Sequence, residues 1–298
     1  GFKQFYCGLA SPLQGYIKYI IRISSKFVVL SDHWKSWLIN DVESFNNISV
    51  IRNGVKESSQ CTRATQDKNI LFAGRLVKGK GLEDLFEAIL RLKAKYENIS
   101  LIVAGDGNVE EYKDLAIAKG LQKNIKFTGW IERKELDELM CSSRCLVLPS
   151  YAEGMPMCIL EAFSNKLPVG ATNVGSIPEL IKHGYDGYLH TPGDVDALCK
   201  YLTIYYENHR FSMDDGLHGF DKFKAQYSEN VFIDETDSKP FILEDALMIG
   251  QKESNQSGPS IGDLGNIMFS ENYTIMSKIR EENFYILAVI DFTIISSR

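Results

Sequence analysis

The feature that most constrains this chain is a regular alternation, between residues 48 and 207, of short apolar runs with amphipathic stretches of helical length. The strand-like runs are Asn69–Ala73, Ser100–Ala104, Asn124–Thr128, Cys145–Leu148, Pro168–Ala171 and Gly187–Leu189. The helix-like stretches are Leu82–Tyr96, Val109–Lys119, Arg133–Cys141, Met157–Asn165, Ser176–Lys182 and Asp194–Glu207. Such an alternation predicts consecutive strand–helix units.

The first helix-like stretch shows how these units would pack. Its apolar residues recur at helical spacing and share one face: Leu82, Leu85, Phe86, Ile89 and Leu92. The uninterrupted apolar run at residues 145–148 suits a strand buried on both faces, as in a parallel sheet covered by helices. Six such repeats predict an α/β fold around a Rossmann-like, doubly wound parallel sheet.

The alternation divides the chain into three regions. Residues 51–230 hold one nearly complete α/β domain. Residues 1–50 are too short for a second one and are interpreted as the remnant of a truncated neighbouring domain. Residues 231–298 form a tail without a functional interpretation.

Local patterns predict a few elements in the flanking regions. In the first, Lys26–Leu30 is strand-like, and Ser31 or Asp32 suits the cap of a short helix. In the tail, residues 273–280 are expected to be helical, and residues 283–296 are β-prone.

The formal net charge of −6 bears on the class of partner. A broad nucleic-acid surface needs clustered Lys and Arg, so no nucleic-acid partner is expected. A local anion site is still compatible with this charge, because a phosphate responds to the groups around it.

Cysteine and hydropathy patterns favour a cytoplasmic protein. The six cysteines include no C-x-x-C pair, so they are expected to be reduced. No signal peptide is visible, and the longest apolar stretch, residues 284–290, is shorter than the ~20 residues of a bilayer span. Residues 16–23, with Lys18 and Arg22, suit a buried helix or one on a membrane surface. Peripheral association with the inner membrane face therefore stays an alternative.

The first motif with chemical content is FAGRLVKGKGL at residues 72–82, between a predicted strand and a predicted helix. Its glycines permit close backbone approach, and its cations are Arg75, Lys78 and Lys80. Loops at the carboxyl ends of parallel strands are where such sheets bind ligands. Arg75 and Lys80 would suit a developing phosphate charge, at roughly 1.5–3 kcal/mol per charge-assisted hydrogen bond. A solvated basic turn is an equally good interpretation of this motif alone.

The second motif, PSYAEGMPMCILE at residues 149–161, begins where another predicted strand ends. Pro156 suits a first helical position, so Glu153 falls in the loop and Glu161 about one turn into the helix. The free N–H groups of that helix would attract a phosphate. Two carboxylates beside it would accept hydrogen bonds from sugar hydroxyls. Taken alone, a turn residue and a surface residue are the simpler interpretation.

Together these segments resemble glycosyltransferase family 4, whose members have the GT-B fold. The ordered set is G-R-x-x-x-x-K-G at 74–81, A-G-D-G at 104–107, F-T-G at 127–129, E-G-x-P-x-x-x-x-E at 153–161, GSIPELI at 175–181 and GYDGYL at 184–189. The match extends over roughly residues 48–207. Each piece alone is a weak signal, whereas their common order is a strong one.

The resemblance implies roles for the matching side chains. Arg75 and Lys80 correspond to the cations that bind the donor diphosphate. Glu153 corresponds to the acid that contacts the donor sugar, and these three are the predicted catalytic residues. Glu161 corresponds to the acid that binds the ribose hydroxyls.

The resemblance also implies backbone contacts with the donor. Gly154, Met155 and Pro156 correspond to the segment that approaches the sugar and phosphate. The nucleobase would be framed by Gly129, Trp130 and Ile131. A turn beside the donor pocket is expected at Gly105 and Gly107, and Gly74, which permits close backbone approach, is predicted to bind the donor as well.

The implied activity is a retaining transfer of a sugar from a nucleoside-diphosphate sugar, as in polysaccharide biosynthesis. The acceptor would be a glycan, a lipid-linked sugar or a small molecule. No cofactor and no metal are expected, since the nucleotide sugar is itself the donor substrate.

One departure keeps alternatives open. Residues 1–50 resemble only the end of the family's N-terminal domain, which normally carries the acceptor site. The chain could therefore need a partner chain that supplies that domain, or be a truncated, non-catalytic nucleotide-sugar-binding module. A GT-B epimerase is a third interpretation, against which the E-x7-E pair argues.

Overall fold

A computed structural model describes residues 2–23, 27–58, 68–231, 275–280 and 283–288. They fall into two compact units. One unit comprises residues 54–231, and the other includes residues 1–53 and the two described C-terminal strands.

The described part of residues 1–53 is mainly helical. Its elements are α1 (Phe2–Gly8), α2 (Ser11–Ile23), β1 (Phe27–Val29), α3 (Asp32–Trp37), a π-helical turn (Leu38–Val42) and β2 (Ile48–Val50). β1 and β2 pair in parallel. The Ser31 hydroxyl accepts from the Trp34 N–H at 3.3 Å, which confirms Ser31 as the cap of α3. Trp34 and Trp37 pack in its core at 5.8 Å between ring centroids.

The tail contributes β9 (Ile275–Arg280) and β10 (Asn283–Ala288), which pair antiparallel. The helix predicted at residues 273–280 is therefore wrong for its described part. Pairing with the β-prone segment that follows supplies its backbone hydrogen bonds, and such pairing readily overrides weak local propensity. The β-prone character is confirmed for residues 283–288, and the rest of that segment lies outside the described residues.

The larger unit is an α/β domain around a six-stranded, wholly parallel sheet, which confirms the predicted fold class. Its strands are β3 (Asn69–Ala73), β4 (Ser100–Ala104), β5 (Ile125–Gly129), β6 (Cys145–Leu148), β7 (Val169–Thr172) and β8 (Gly187–His190). Its helices are α4 (Leu82–Lys93), α5 (Val109–Ala118), α6 (Arg133–Ser142), α7 (Met157–Ser164), α8 (Ile177–Leu180), α9 (Val195–Glu207) and α10 (His209–Gln226).

Packing follows the predicted pattern. All four residues of β6 are buried, as expected for a strand covered on both faces. The predicted apolar stripe of α4 is fully buried except at Leu92, which is 7% exposed. Burial of such side chains is worth about 1.5–3 kcal/mol each, which holds the helix against the sheet.

The strand order is β5-β4-β3-β6-β7-β8. The chain builds outward from β3 to β5, returns to the other side of β3 with β6, and then builds outward to β8. The direction of winding thus reverses between β3 and β6. In open α/β sheets, the crevice outside the carboxyl ends of two such strands is the usual ligand site.

Two other predictions can be compared with the described residues. Cys7, Cys145, Cys158 and Cys199 are free thiols, but Cys141 is disulfide-bonded, so the expectation of reduced cysteines is wrong there. None of the described helices combines the length and the apolar character needed to cross a membrane.

Candidate active site

Two loops meet at the reversal point, one after β3 (residues 74–81) and one after β6 (residues 149–156). The Tyr151 N–H donates to the Gly79 carbonyl at 2.8 Å. Gly81 has a φ of 70°, and a Cβ at that position would lie only 2.0 Å from the carbonyl oxygen of Pro149. The two predicted motifs are therefore held in direct backbone contact, which only glycine allows at position 81.

The side chains of Lys80 and Glu153 join the two loops. Lys80 Nζ donates to Glu153 Oε1 at 2.7 Å, with the lysine side chain 12% exposed and the glutamate side chain fully buried. The second carboxylate oxygen, Oε2, is also buried and has no hydrogen-bond partner within the described residues. A buried, unpaired carboxylate oxygen is costly, so it marks a place where a hydrogen-bond donor is expected.

A third loop supports the backbone of Glu153. The Ser176 N–H donates to the Gly154 carbonyl at 3.1 Å. Gly175 has a φ of 55°, and a Cβ there would lie 2.0 Å from the Glu153 carbonyl oxygen. The loop after β7 thus contacts the two peptide units that follow Glu153.

Helix α7 begins immediately after the loop that carries Glu153. Pro156 is the residue that precedes the helix, with a ψ of 116°, and Met157 is the first helical residue. The prediction of Pro156 at the first helical position is therefore wrong by one residue, because its extended backbone still belongs to the loop. Gly154, Met155 and Pro156 are all buried. The Ile159 N–H donates to the Pro156 carbonyl at 3.2 Å, whereas the N–H groups of Met157 and Cys158 precede the first hydrogen bond of the helix.

Arg75 stands in the other loop, two residues after the end of β3. Its side chain is exposed, and among the described residues no hydrogen bond or ion pair engages it. Its neighbour Leu76 is anchored on both sides, because its N–H donates to the Asp106 carbonyl at 2.6 Å and its carbonyl accepts from the Asn108 N–H at 2.8 Å. The guanidinium is therefore available to a ligand, while the backbone that carries it is held in place.

The ends of β3, β4 and β5 line up at the same edge. The Gly74 N–H donates to the Ala104 carbonyl, and the Gly105 N–H donates to the Gly129 carbonyl, both at 2.9 Å. Trp130, which follows Gly129, is 69% exposed. The predicted nucleobase loop thus presents an uncovered indole ring at the carboxyl edge of the sheet, beside a half-buried Ile131.

Glu161 lies on α7, as predicted, but its partner is a residue that the sequence did not single out. Arg133 Nη1 donates to Glu161 Oε1 at 2.6 Å. Burial raises the pKa of the Glu161 carboxyl, the Arg133 charge opposes that rise, and the Asp137 charge adds to it. The i,i+4 spacing of Arg133 and Asp137 was the available signal, and it indicates an ordinary pair on a helix surface rather than a contact with α7.

The thiol of Cys158 shows that both carboxylates act on one region of α7. Burial raises its pKa most, and the charges of Glu153 and Glu161 raise it further, whereas Lys80 lowers it. The charges of Lys80, Glu153 and Glu161 therefore all act on Cys158, the second residue of α7. Arg75 shares the loop of Lys80 but contacts none of these side chains.

This arrangement can bind a ligand that combines negative charge with hydroxyl groups. The basic residues and the free N–H groups at the start of α7 favour an anion, and the two carboxylates accept hydrogen bonds from hydroxyls. The described residues contain no group of three or more His, Cys, Asp or Glu side chains that could hold a metal ion.

Several proteins of similar sequence are named as glycosyltransferases or as glycogen synthase. Residues 56–215 match the family described as glycosyl transferases group 1. An uncharacterized glycosyltransferase of Methanocaldococcus jannaschii is 33% identical over 45% of this chain and 34% of its own length. A glycogen synthase of Mycobacterium tuberculosis is 30% identical over 51% of this chain and 38% of its own length. A 2-deoxystreptamine N-acetyl-D-glucosaminyltransferase of Niallia circulans is 29% identical over 60% of this chain and 49% of its own length.

Solved structures with a similar fold are GT-B glycosyltransferases. Sucrose-phosphate synthase of Thermosynechococcus elongatus superimposes with a TM-score of 0.71 at 18% identity, covering 79% of this chain and 62% of that one. HepE of Anabaena, solved with UDP and glucose, gives a TM-score of 0.69 at 18% identity, covering 78% of this chain and 68% of that one. At this identity the likeness shows the fold, which agrees with the predicted GT-B type.

The matches leave much of each relative uncovered, since the chain spans 34–49% of the length of these three curated relatives. The matched family nevertheless covers more than half of the chain and contains both loops of the candidate site. The chain belongs to the glycosyl transferases group 1 family, and it carries that family's α/β domain.

Proposed function

We propose that this chain provides the donor-binding site of a retaining glycosyltransferase that uses a nucleoside-diphosphate sugar. The observation that carries the proposal is the buried Lys80–Glu153 pair at the reversal point of the sheet, with Glu153 Oε2 lacking a partner. A positive charge and a buried hydroxyl acceptor, side by side, match the junction between a diphosphate and a sugar.

The two cations act on the leaving group. When the bond between the anomeric carbon and the diphosphate oxygen breaks, its electron pair leaves with the diphosphate. Arg75 and Lys80 stabilise that charge without a metal, as preorganised donors do for developing anions. Lys80 is held for this task by Glu153, and Arg75 approaches from the exposed side of the same loop.

The two acids recognise hydroxyl groups on either side of the diphosphate. Glu153 accepts a hydrogen bond from the donor sugar through Oε2, and Glu161 accepts from the ribose. The backbone from Gly154 to Pro156 approaches the sugar and phosphate, and Trp130 frames the nucleobase. In support, HepE of Anabaena, which shares the fold, has been solved with UDP and glucose.

The test is equilibrium binding measured by calorimetry on the full chain with UDP, GDP and their glucose or mannose conjugates. The double substitution Arg75→Ala/Lys80→Ala should weaken nucleoside-diphosphate binding by about a hundredfold or more, because two charge-assisted contacts of roughly 1.5–3 kcal/mol are lost. Lys78→Ala, which removes an exposed cation from the same loop, is the matched control and should change little. Equal binding by the double variant and the control would refute the assignment of the diphosphate site.

A second candidate function is a nucleotide-sugar-binding module that transfers sugar only together with a partner chain. All the predicted donor contacts lie within one unit, residues 54–231, which would suffice for binding the donor. Release of the diphosphate from a bound donor, followed with a panel of sugar and lipid-linked acceptors, separates the two functions. Tight donor binding without sugar loss for any acceptor would favour the module.

A further inference from the structure

Arg133, at the first position of α6, binds two carboxylates at once. Its Nη1 donates to Glu161 Oε1 at 2.6 Å, and its Nε lies 3.1 Å from each carboxylate oxygen of Asp137. Asp137 is itself held, because Oδ1 accepts from Nδ2 of the fully buried Asn165 at 2.9 Å. The orientation of the guanidinium is therefore set from both α6 and the end of α7.

Glu161 uses only one of its two oxygens in this contact. Oε1 accepts from Arg133, whereas Oε2 accepts no hydrogen bond from any of the described residues. The side chain is 16% exposed, so a ligand can approach that oxygen. An ionised carboxylate accepts on both oxygens, and a protonated one accepts less well.

The surroundings of Glu161 make its charge state sensitive to Arg133. Burial raises the pKa of the carboxyl most, Asp137 on α6 raises it further, and Arg133 is the charge that lowers it. The other titratable group close by, Cys158 on α7, carries no charge at neutral pH because its pKa is raised. Removing Arg133 would leave burial and the Asp137 charge, which both favour protonation of Glu161, without the charge that opposes them.

We propose that Arg133 is a positioning residue for ribose recognition, which orients Glu161 so that Oε2 accepts hydrogen bonds from the ribose hydroxyls. This deepens the proposed donor site and rests on it. Arg133 does not bind the ligand itself in this role, so its removal should act through the ribose and not through the phosphates.

The experiment measures two affinities between pH 5 and pH 8. One ligand is UDP or GDP, whichever binds more tightly, and the other is its 2′,3′-dideoxy counterpart. Their affinity ratio isolates the ribose hydroxyls, because protonation of the phosphates affects both ligands alike. The exposed position of Arg133, at 43%, makes substitution compatible with folding.

In the unsubstituted chain the ribose hydroxyls should improve affinity about tenfold or more at neutral pH. Arg133→Gln should reduce this ratio to within about threefold of unity, and the ratio should collapse at a higher pH than in the unsubstituted chain. Arg133→Lys should restore part of it.

Arg91→Gln is the matched control, because Arg91 also bonds an acid four residues away, Glu87 at 3.1 Å, and an acid on another helix, Asp196 at 2.8 Å. It stands 48% exposed near the far end of α4, about 13 Å along the helix from its first residue. Arg91→Gln should leave the affinity ratio unchanged at every pH.

Two results would overturn the inference while leaving the donor site intact. One is an affinity ratio in Arg133→Gln that equals that of the Arg91→Gln control. The other is an equal loss of affinity for both ligands at every pH, which would make Arg133 a direct phosphate contact. Glu161→Ala tests the underlying assignment separately: if the affinity ratio survives in that variant, the ribose role of Glu161 falls and the inference falls with it.

Discussion

Two ion pairs lie on or beside helix α7: Lys80 with Glu153, in the loop before it, and Arg133 with Glu161, on its second turn. Their N–O distances are nearly equal, 2.7 and 2.6 Å. In the first pair the two side chains are 12% and 0% exposed, whereas in the second they are 43% and 16% exposed. Since the distances are nearly equal, the burial of each ion pair decides how much it contributes to stability.

The first pair is a fixed part of the domain. Removing one partner of a buried pair leaves an uncompensated charge, which is strongly destabilising. The second pair is closer to a surface contact, whose worth is commonly below about 1 kcal/mol. Its interest lies in the charge and orientation it gives Glu161.

The largest expected effect is on stability, where the two ion pairs should differ most. Lys80→Met should lower the free energy of unfolding by about 3 kcal/mol, because Glu153 keeps its burial and loses its cation. Arg133→Met should lower it by less than about 1 kcal/mol. Urea denaturation gives both values, and Lys80→Met/Glu153→Gln should recover part of the first loss. Similar decreases in the free energy of unfolding of the two single variants would show that burial does not distinguish the two ion pairs.

A second change tests the backbone contact that brings the first pair together. Gly81→Ala places a methyl group against the Pro149 carbonyl, whereas Gly79→Ala meets no atom within 4 Å. Both glycines have positive φ, so both variants share the conformational cost. Gly81→Ala should be destabilised by roughly 1–3 kcal/mol more than Gly79→Ala. Equal thermal unfolding of the two would contradict the close approach of the loops.

A third pair of variants compares the roles of the two glutamates in ligand binding. Glu153→Gln should weaken binding of a nucleotide sugar about tenfold more than binding of the free nucleoside diphosphate, because its carboxylate faces the sugar, whereas any change at Lys80 acts on both ligands. Glu161→Gln should weaken both ligands to a similar extent, since the ribose is common to them. Calorimetry with UDP and UDP-glucose, or the guanosine equivalents, measures the difference. The reverse pattern would exchange the two roles.

The smallest effect concerns the pH dependence of stability. The pKa of Glu161 is raised in the folded chain, so the folded state binds more protons than the unfolded state above about pH 4.3, the ordinary value of glutamate. Its contribution to stability is therefore complete below that pH and is lost as pH rises through the folded pKa. Glu161→Gln should remove this loss, which urea denaturation at a series of pH values would detect as a flatter profile. An unchanged profile would contradict the raised pKa.

Much of the larger unit could be predicted from the sequence because its signals are local. Three of the six predicted strands have the observed bounds, and the other three are shifted by one residue at one or both ends. The helix at 82–96 ends earlier, at Lys93, and the one at 176–182 shrinks to Ile177–Leu180. Helix ends depend on capping and packing, which a periodic pattern describes poorly.

The candidate site could be predicted only in part from local sequence patterns. Both motifs were recognisable, as were the residues that carry charge within them. Arg133 was not, because its contact with Glu161 joins residues 28 apart on two helices. The helix expected at 273–280 failed for a similar reason, since the strand there depends on pairing with residues 283–288.

The strand–helix alternation, the parallel α/β class and the two charged loops follow from the amino-acid sequence, because apolar periodicity and turn residues act over a few neighbouring positions. The return of β6 to a position beside β3 is seen only in the folded domain. That strand order joins Lys80 to Glu153 across 73 residues of sequence and buries the pair. Strand order reflects the packing of whole helices on both faces of a sheet, and no short segment encodes it.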